Sequence, residues 1–473
     1  MVTRGRREEV IPSAARLLGS LRDLGYDFVH AVADVVDNSV SARATEVDIV
    51  LRPDGPDSWV RIADNGTGMS GAVISESMRL GTGHRTYQGD ELGKFGLGLK
   101  TASLSQARSL TVASRTHASR RQIECRRLDL DDIQTSDRWE IEHPTAAERP
   151  VTVTEPLADG PGTVVYWNKL DRVLDFSDPF GSWSQRHLLR LAERLDQHLG
   201  MVFGRFLAGQ ARRPLPLVIT VNGTKVEPWD PFCLDQRTEH LPAQDLRVGS
   251  SFVRYRPYVL PPQGDFSADE SWRQASGPNQ WNRQQGLYLY RADRMVQSGG
   301  WSWLRGNDEH IKLARAAIEF WPDLDEAFGI NVAKTRVKLP EELRDQLKPF
   351  IAMLTRRADD RYRKSSPRRG RPAPPMPPGR KPAAAPTGPG RSGAGGKQGT
   401  NAPAGSNPQE GPLPQPAAAP APGAGTAPHP PVGSTVGQVL EQTARRLGHE
   451  AALQAIRTEL QTQHPEAARD LGW

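Results

Sequence analysis

Between positions 26 and 43 the apolar residues fall at Phe28, Val29, Val32, Val35 and Val36. That three-and-four spacing predicts a helix with one broad buried face. Residues 46–51 (EVDIVL) and 59–62 alternate apolar with polar positions, the period of two expected of strands. Residues 110–114, 162–167 and 217–221 are further strand candidates, and 185–206 returns to helical spacing. Mixing of the two periods through residues 1–360 predicts an α/β body. Helical spacing recurs near the C-terminus at Val436, Val439, Leu440 and Leu447, and again at Leu453, Ile456 and Leu460, with Gly448 between as a stop. A small helical hairpin over 435–473 is therefore expected. Two short helices bury little surface alone, so docking on a protein partner or on the body is expected as well.

Composition changes this picture in one stretch. Residues 366–432 hold 19 of the 40 prolines and no aromatic residue, which predicts a disordered linker over 361–434. Much of the depressed hydrophobic fraction, 37% of 473 residues, traces to that stretch. Charge is uneven too. Residues 356–397 carry twelve basic and two acidic side chains, whereas residues 1–355 are near neutral, so the overall charge of +6 belongs to a tail. In that tail Ser-Pro-Arg-Arg-Gly-Arg-Pro contains the Arg-Gly-Arg-Pro core of an AT-hook, and Gly-Arg-Lys-Pro follows. Arg368, Arg369, Arg371, Arg380 and Lys381 are thus candidate nucleic-acid contacts, either in an A·T minor groove or as phosphate contacts without preference. No apolar run approaches the ~18 residues of a membrane helix, and the Arg- and Glu-rich first ten residues predict no secretory signal. Two distant cysteines, Cys125 and Cys233, exclude a disulfide scaffold and a cysteine zinc site, and fit a reducing cytoplasm.

Four segments carry candidate chemistry. In Ala-Asp34-Val-Val-Asp-Asn38-Ser, Asp34 and Asn38 are four apart and project from one helical face. A carboxylate and a carboxamide so stacked suit a water and a hard cation such as Mg²⁺. Asp64 ends a strand before Asn-Gly66-Thr-Gly68-Met69, where it can accept a hydrogen bond while the loop backbone packs closely on a ligand. In Gly93-Lys94-Phe95-Gly96-Leu97-Gly98-Leu-Lys100-Thr, glycines let backbone N–H groups approach phosphates at a helix start, and lysines add positive charge. Gly162-Thr163-Val-Val opens a strand with a small hydroxyl residue. Each segment alone is also what an ordinary turn or capped helix shows. Their order and spacing are the signal.

Together the segments resemble the GHKL ATPases, the superfamily of DNA gyrase B, the ninety-kilodalton heat-shock chaperone, MutL and the histidine kinases, and within it the bacterial MORC-like and MutL-like proteins. AVADVVDNSVSARATEVDI is similar to the first family box, ADNGTGMS to the adenine box, LGKFGLGLKTAS to the phosphate-lid box and GTVVYW to the last. HLGMVFGRFL, VNGTKVEPWDPF, GLYLYRADRMVQSGGW and INVAKTRVKLP resemble the transducer domain. The resemblance implies a Bergerat-fold sandwich, a mixed sheet with helices on one face, over 1–178, then an α/β transducer over 179–360. It implies ATP and Mg²⁺ as cofactors, with Asn38 ligating Mg²⁺ and Asp64 accepting the adenine amino group. Gly66, Gly68, Met69, Gly93, Lys94, Phe95, Gly96, Leu97 and Gly98 would line the nucleotide, Lys100 would reach the phosphates, and Thr163 would support the adenine end through water. Lys334, with Lys338 nearby, would be the transducer lysine at the γ-phosphate.

One position departs from the pattern. The family places a Glu general base four residues before the Asn, and here Asp34 stands there, shorter by one methylene or roughly 1.5 Å. A ~1 Å misplacement can lower a rate ~100-fold. Slow turnover, or ATP binding as a switch, is compatible with that change; Asp37 is a substitute base on another side of the helix, and Ser41 stands where many relatives carry Asp. Trp301, Trp303, Phe320 and Trp321 are read as transducer core. The function implied is an ATP-gated clamp that dimerises with ATP and acts on DNA, with a defence or DNA-maintenance role by association. The alternatives are a chaperone-like ATPase on protein clients and an ATP-sensing scaffold without turnover. A histidine kinase and a type II topoisomerase are not expected, for want of a helical His-bearing dimerisation segment and of a cleavage module.

Overall fold

The computed structural model describes residues 12–23, 26–79, 98–117, 122–174, 180–213, 215–330, 337–365, 441, 445 and 450–463. Two mixed sheets organise residues 12–365. Helices α1 (Ala14–Arg22) and α2 (Phe28–Ser41) lead into strands β1 (Glu46–Arg52) and β2 (Trp59–Asp64). Helices α3 (Gly71–Met78) and α4 (Gly98–Leu104) precede β3 (Ser109–Arg115) and β4 (Glu124–Asp129). After α5 (Leu130–Ser136) and the single turn α6 (Val151–Thr154) comes β5 (Gly162–Asn168). The long α7 (Ser182–Val202), the short α8 (Gly204–Leu207), β6 (Val218–Val221) and β7 (Thr224–Lys225) complete the first sheet, in the order β4-β3-β5-β2-β1-β6-β7. Only the β1–β6 pairing in it is parallel.

Strand alternation divides the first sheet into two faces. Val60, Ile62, Leu110, Val112, Val165 and Trp167 point to the face covered by α1, α2, α4 and α7, where the main core lies. Ala63, Ala113, Val164 and Tyr166 point the other way and pack under Val153 and Leu157. The helices are thus concentrated on one face as expected, and one short helical segment covers part of the other. The first core runs on through Leu188, Leu199 and Ile219 to Val226. The expected boundary at 178 therefore falls inside it, because β6 closes on β1.

The second sheet is built from β8 (Glu239–His240), β9 (Gln244–Val248), β10 (Ser251–Val259), β11 (Gly286–Arg291), β12 (Arg294–Gln297) and β13 (Ala314–Phe320). Its order is β12-β11-β13-β10-β8, with β9 also on β10 and the β11–β13 pair parallel. The short helices α9 (Asp269–Ala275) and α10 (Gln280–Arg283) lie between β10 and β11. Helix α11 (Glu341–Ser365) lays Leu343, Leu347, Ile351, Leu354 and Ala358 on the sheet at three-and-four spacing, and so passes the expected linker start at 361 by five residues. Trp301 and Phe320 are buried as expected, and Trp321 is half-buried. Trp303 is instead 96% exposed: Ser302 and Trp303 both take left-handed backbone conformations that turn the ring outward. Near the C-terminus Glu450–Gln463 is helical, as expected for half of the hairpin; 366–440 and most of 441–449 lie outside the described residues. Among the described residues no helix is long and apolar enough to cross a membrane.

The two sheets are locked together through the α8 region. Arg205 donates to Glu319 at 2.6 Å and to Asp293 at 3.4 Å, with its guanidinium stacked 3.7 Å over the Tyr290 ring. Both carboxylates are largely buried, so losing Arg205 removes the shorter of the two ion pairs of Glu319, which keeps Arg256 at 3.4 Å, and leaves Asp293 on the Arg212 N–H. Arg205→Ala is expected to lower unfolding stability by about 2–4 kcal/mol in a denaturant titration. A loss under ~0.5 kcal/mol would show that this junction contributes nothing.

Candidate functional site

The site is built on α2 and the loop that follows β2. Asp34 sits in the middle of α2 and is 3% exposed, whereas Asn38, one turn later, is exposed. Tyr26, just before the helix, donates its hydroxyl to Asp34 Oδ2 at 3.0 Å, and receives a hydrogen bond from the Thr101 side chain on α4. Burial, then the neighbouring Asp34 charge, pushes the Tyr26 hydroxyl well above its usual range, so it stays a donor. Gly98, the first residue of α4, lies so close to Asp34 that an added Cβ would be 4.0 Å from Oδ2. Asp34 thus faces the start of the helix that follows the glycine-rich segment.

Asp37 points elsewhere. Its Oδ1 accepts from Arg294 Nε at 2.7 Å, and it is 1% exposed. The Arg294 guanidinium also lies 3.7 Å from Asp34 Oδ1.

Asp64, the last residue of β2, stands opposite Thr163, the second residue of β5. Its Oδ1 accepts from the Gly66 and Thr163 N–H groups at 2.9 and 3.2 Å, and its Oδ2 from the Ser39 hydroxyl at 2.8 Å. A carboxylate offers about four acceptor positions, so these described partners leave one open on Oδ2. Burial raises the Asp64 carboxyl above its ordinary range, and the three hydrogen bonds oppose that rise. Ser114 ties the neighbourhood together. It accepts from Met69 N–H at 2.7 Å, donates to Gly162 O at 2.7 Å and lies 3.0 Å from Thr163 Oγ1. Its one proton goes to Gly162, so Thr163 is the donor between the hydroxyls, and Thr163 Oγ1 keeps acceptor capacity for water.

The loop glycines are required where backbones meet. A Cβ on Gly66 would lie 2.8 Å from Ala42 O at the end of α2. Gly68 has φ +70°, and its Cβ would lie 2.0 Å from Arg115 O. Asn65 Oδ1 accepts from the Thr45 and Glu46 N–H groups, fastening the loop to the start of β1.

These groups fit a purine nucleotide with a hard cation. Asp64 Oδ2 offers an acceptor for an exocyclic amine, the glycine loop brings backbone close, and Asn38 is exposed one helical turn from the buried Asp34. Among the described residues no three His, Cys, Asp or Glu side chains form a metal site, so a cation here would depend on Asn38, water and ligand oxygens. Lys100, expected to reach the phosphates, lies on α4. It is 1% exposed and its Nζ donates at 2.7 Å to Ser77 O near the end of α3. Gly93, Lys94, Phe95, Gly96, Leu97, Lys334, Arg368, Arg369, Arg371, Arg380 and Lys381 lie outside the described residues.

The structure adds Tyr26, Ser39, Ser114 and Arg294 to the candidates. Ser39 carried a weak signal as a small polar residue on the apolar side of a helix. Arg294 carried another, as a charge directly before the apolar pair Met295-Val296.

Residues 26–163 match a family model described as Histidine kinase-, DNA gyrase B-, and HSP90-like ATPase, and this span contains every described site residue except Arg294. An 86-residue stretch is 33% identical to the DNA mismatch repair protein MutL of Beijerinckia indica subsp. indica. That stretch is 18% of this chain and 13% of the MutL protein, so the likeness is to one part of it.

Burial lowers Lys100 from 10.5 to about 8, against a smaller opposing effect of Glu76. Between those values the unfolded chain holds more protons than the folded one, so stability rises with pH there. The melting temperature of the wild type relative to Lys100→Met is expected to climb from pH 8 to 10. A constant difference would contradict this placement.

Proposed function

We propose, from the premise that residues 26–163 form a GHKL ATPase domain related to that of MutL, that the chain binds and hydrolyses ATP and uses the cycle to open and close a clamp on DNA. The observation that carries this reading is the convergence of Asp34, Asn38, Asp64 and Thr163 within the span that matches the family model. Asp64 and Thr163 take the adenine end, Asp64 by accepting the amino group and Thr163 by holding a water. Gly66, Gly68 and Met69, with the glycine-rich segment 93–98, line the nucleotide. Asn38 would hold Mg²⁺, which supplies neutralising charge for the phosphates when bound. Asp34 holds the attacking water and accepts its proton as the bond from water oxygen to the γ-phosphorus forms and the bond from the γ-phosphorus to the β-phosphate oxygen breaks, leaving ADP and phosphate. The neighbouring Tyr26 hydroxyl donates to Asp34 Oδ2 and helps to orient the carboxylate for that water.

The domain plan follows the same reading: a nucleotide domain, a transducer presenting Lys334 to the γ-phosphate, a basic linker and a C-terminal helical segment. ATP would draw two copies together, the Arg-rich tail would tether DNA, and the C-terminal helices would engage a protein partner. Action in phage defence or DNA maintenance belongs to this proposal by association. The short reach of Asp34 supports the second reading, an ATP-sensing scaffold without turnover. The basic tail weighs against a protein-client chaperone.

Steady-state ATP hydrolysis by wild type, Asp34→Asn and Asn38→Ala, each with and without duplex DNA, separates these readings. The clamp predicts that both substitutions lower turnover at least ~100-fold and that DNA raises the wild-type rate. Tight ATP binding without turnover, unchanged by DNA, would leave the scaffold. In a separate DNA-binding titration, six to ten tail charges on phosphate predict a ~10³–10⁵-fold loss of affinity from 50 to 200 mM salt. A salt-independent affinity would remove the tail from the account.

A further inference from the structure

Arg294 is 257 residues from Asp37 in sequence and belongs to the second sheet, yet its guanidinium is buried among the carboxylates of α2. The β11–β12 hairpin brings it there. Ala292 and Asp293 form a two-residue turn with both φ positive, the geometry that matches the twist of paired strands. The tip of this hairpin is plugged into the first domain. Ala292 is buried in the first core, and Asp293 accepts from Arg212 N–H at 2.9 Å as well as from Arg205. Arg294, the next residue, passes within 5.8 Å of the Phe203 ring and is itself only 3% exposed.

Its two contacts differ in kind. Nε–H donates to Asp37 Oδ1 at 2.7 Å, a full charge-assisted hydrogen bond. Nη2 lies 3.7 Å from Asp34 Oδ1, too far for a hydrogen bond but close enough for strong attraction inside a protein. Asp37 therefore anchors the guanidinium and leaves its other edge facing Asp34. Tyr26 holds the opposite oxygen of Asp34, Oδ2, at 3.0 Å. Among the contacts of the Asp34 carboxylate are thus a hydroxyl of the nucleotide domain and a cation of the second sheet. A ~1 Å movement of the hairpin would turn the 3.7 Å contact into a hydrogen bond or break it.

We infer that Arg294 is a positioning residue for ATP hydrolysis, through which the β11–β12 hairpin sets the orientation of Asp34. This inference rests on the reading of Asp34 as the general base. It makes the catalytic carboxylate answer to the second sheet directly, through the β11–β12 hairpin. It assigns Asp37 the role of anchor for the guanidinium in place of that of substitute base. It also bears on an aspartate standing where a longer glutamate is usual: a short side chain has less freedom, so a cation 3.7 Å from Oδ1 and a hydroxyl on Oδ2 bias its direction more strongly.

The test uses full-length protein and measures turnover and, separately, equilibrium ATP binding for wild type, Arg294→Met and Arg294→Lys. Met matches the length of the stem and removes the charge. Lys restores a cation but cannot address two carboxylates with a planar fork. Expected is a 10- to 100-fold fall in kcat for Arg294→Met with ATP affinity within about threefold of wild type, and partial recovery in Arg294→Lys. If Arg294→Met does not fold, Asp37→Asn/Arg294→Met removes the stranded carboxylate and is expected to show the same split between kcat and affinity. Wild-type turnover in Arg294→Met, or parallel losses of stability, affinity and kcat that Lys does not relieve, would overturn the inference and leave the ATPase reading standing. A wild type that binds ATP without turning it over would sink the base assignment and this inference with it.

Discussion

Ten of the fourteen residues of α2 are buried, and three of those ten, Asp34, Asp37 and Ser39, are polar. A polar group removed from water requires a partner, and a charge requires one more strongly. This constraint on one helix organises the centre of the molecule. Ser39 turns its hydroxyl to Asp64 and so joins α2 to the end of β2. Asp37 takes Arg294 and so joins α2 to the second sheet. Asp34 takes Tyr26 and the far edge of the same guanidinium. Asn38, on the exposed side, is left to face solvent and whatever binds there. The apolar residues between them, Val32, Val35 and Val36, fix the helix on the sheet, so none of these polar groups can seek other partners without moving the core.

The Asp64–Thr163 pair and the Asp34 region are therefore parts of one packing solution. The loop that carries Gly66 and Gly68 lies against Ala42 at the end of α2 on one side and Arg115 on the other, at distances that admit no Cβ. Asp64 reaches Thr163 because β2 and β5 are paired in the register that sets the two residues opposite each other. Shifting that register by one would turn Asp64 to the other face of the sheet and break its bond to Ser39. The second sheet contributes through the β11–β12 hairpin and Arg205, which bury ion pairs at the junction and leave little room for independent movement without disturbing α2.

Much of this was legible in the sequence wherever it depended on local period. The helix over 26–43, the strands at 46–51, 59–62, 110–114, 162–167 and 217–221, and the spacing of Asp34 from Asn38 all follow from periods of 3.6 and 2. The resemblance to known motifs singled out Asp64 and Thr163, and the structure sets the two opposite each other. What escaped depended on chain distance. The parallel closure of β6 on β1 moves the edge of the first core from 178 to 226, and no local pattern marks a pairing across such an interval. Arg294 looked like a strand charge in a transducer motif, because its partner lies 257 residues away. The bond from Lys100 to Ser77 O, across 23 residues, was likewise not legible from local pattern. Trp303 looked like core by its company, and two consecutive left-handed residues turn it outward.

The central claim is that Asp64, with Thr163, forms the base-binding end of a nucleotide site. Adenine offers an amino group to the open Oδ2 acceptor, whereas guanine offers a carbonyl oxygen at that position. The most direct test is calorimetric titration of the full-length protein with ATP and with GTP in Mg²⁺. The account predicts saturable ATP binding at least ~10-fold tighter than GTP, from one charge-assisted hydrogen bond made or lost. Equal affinity for the two nucleotides, or no ATP binding, would contradict it.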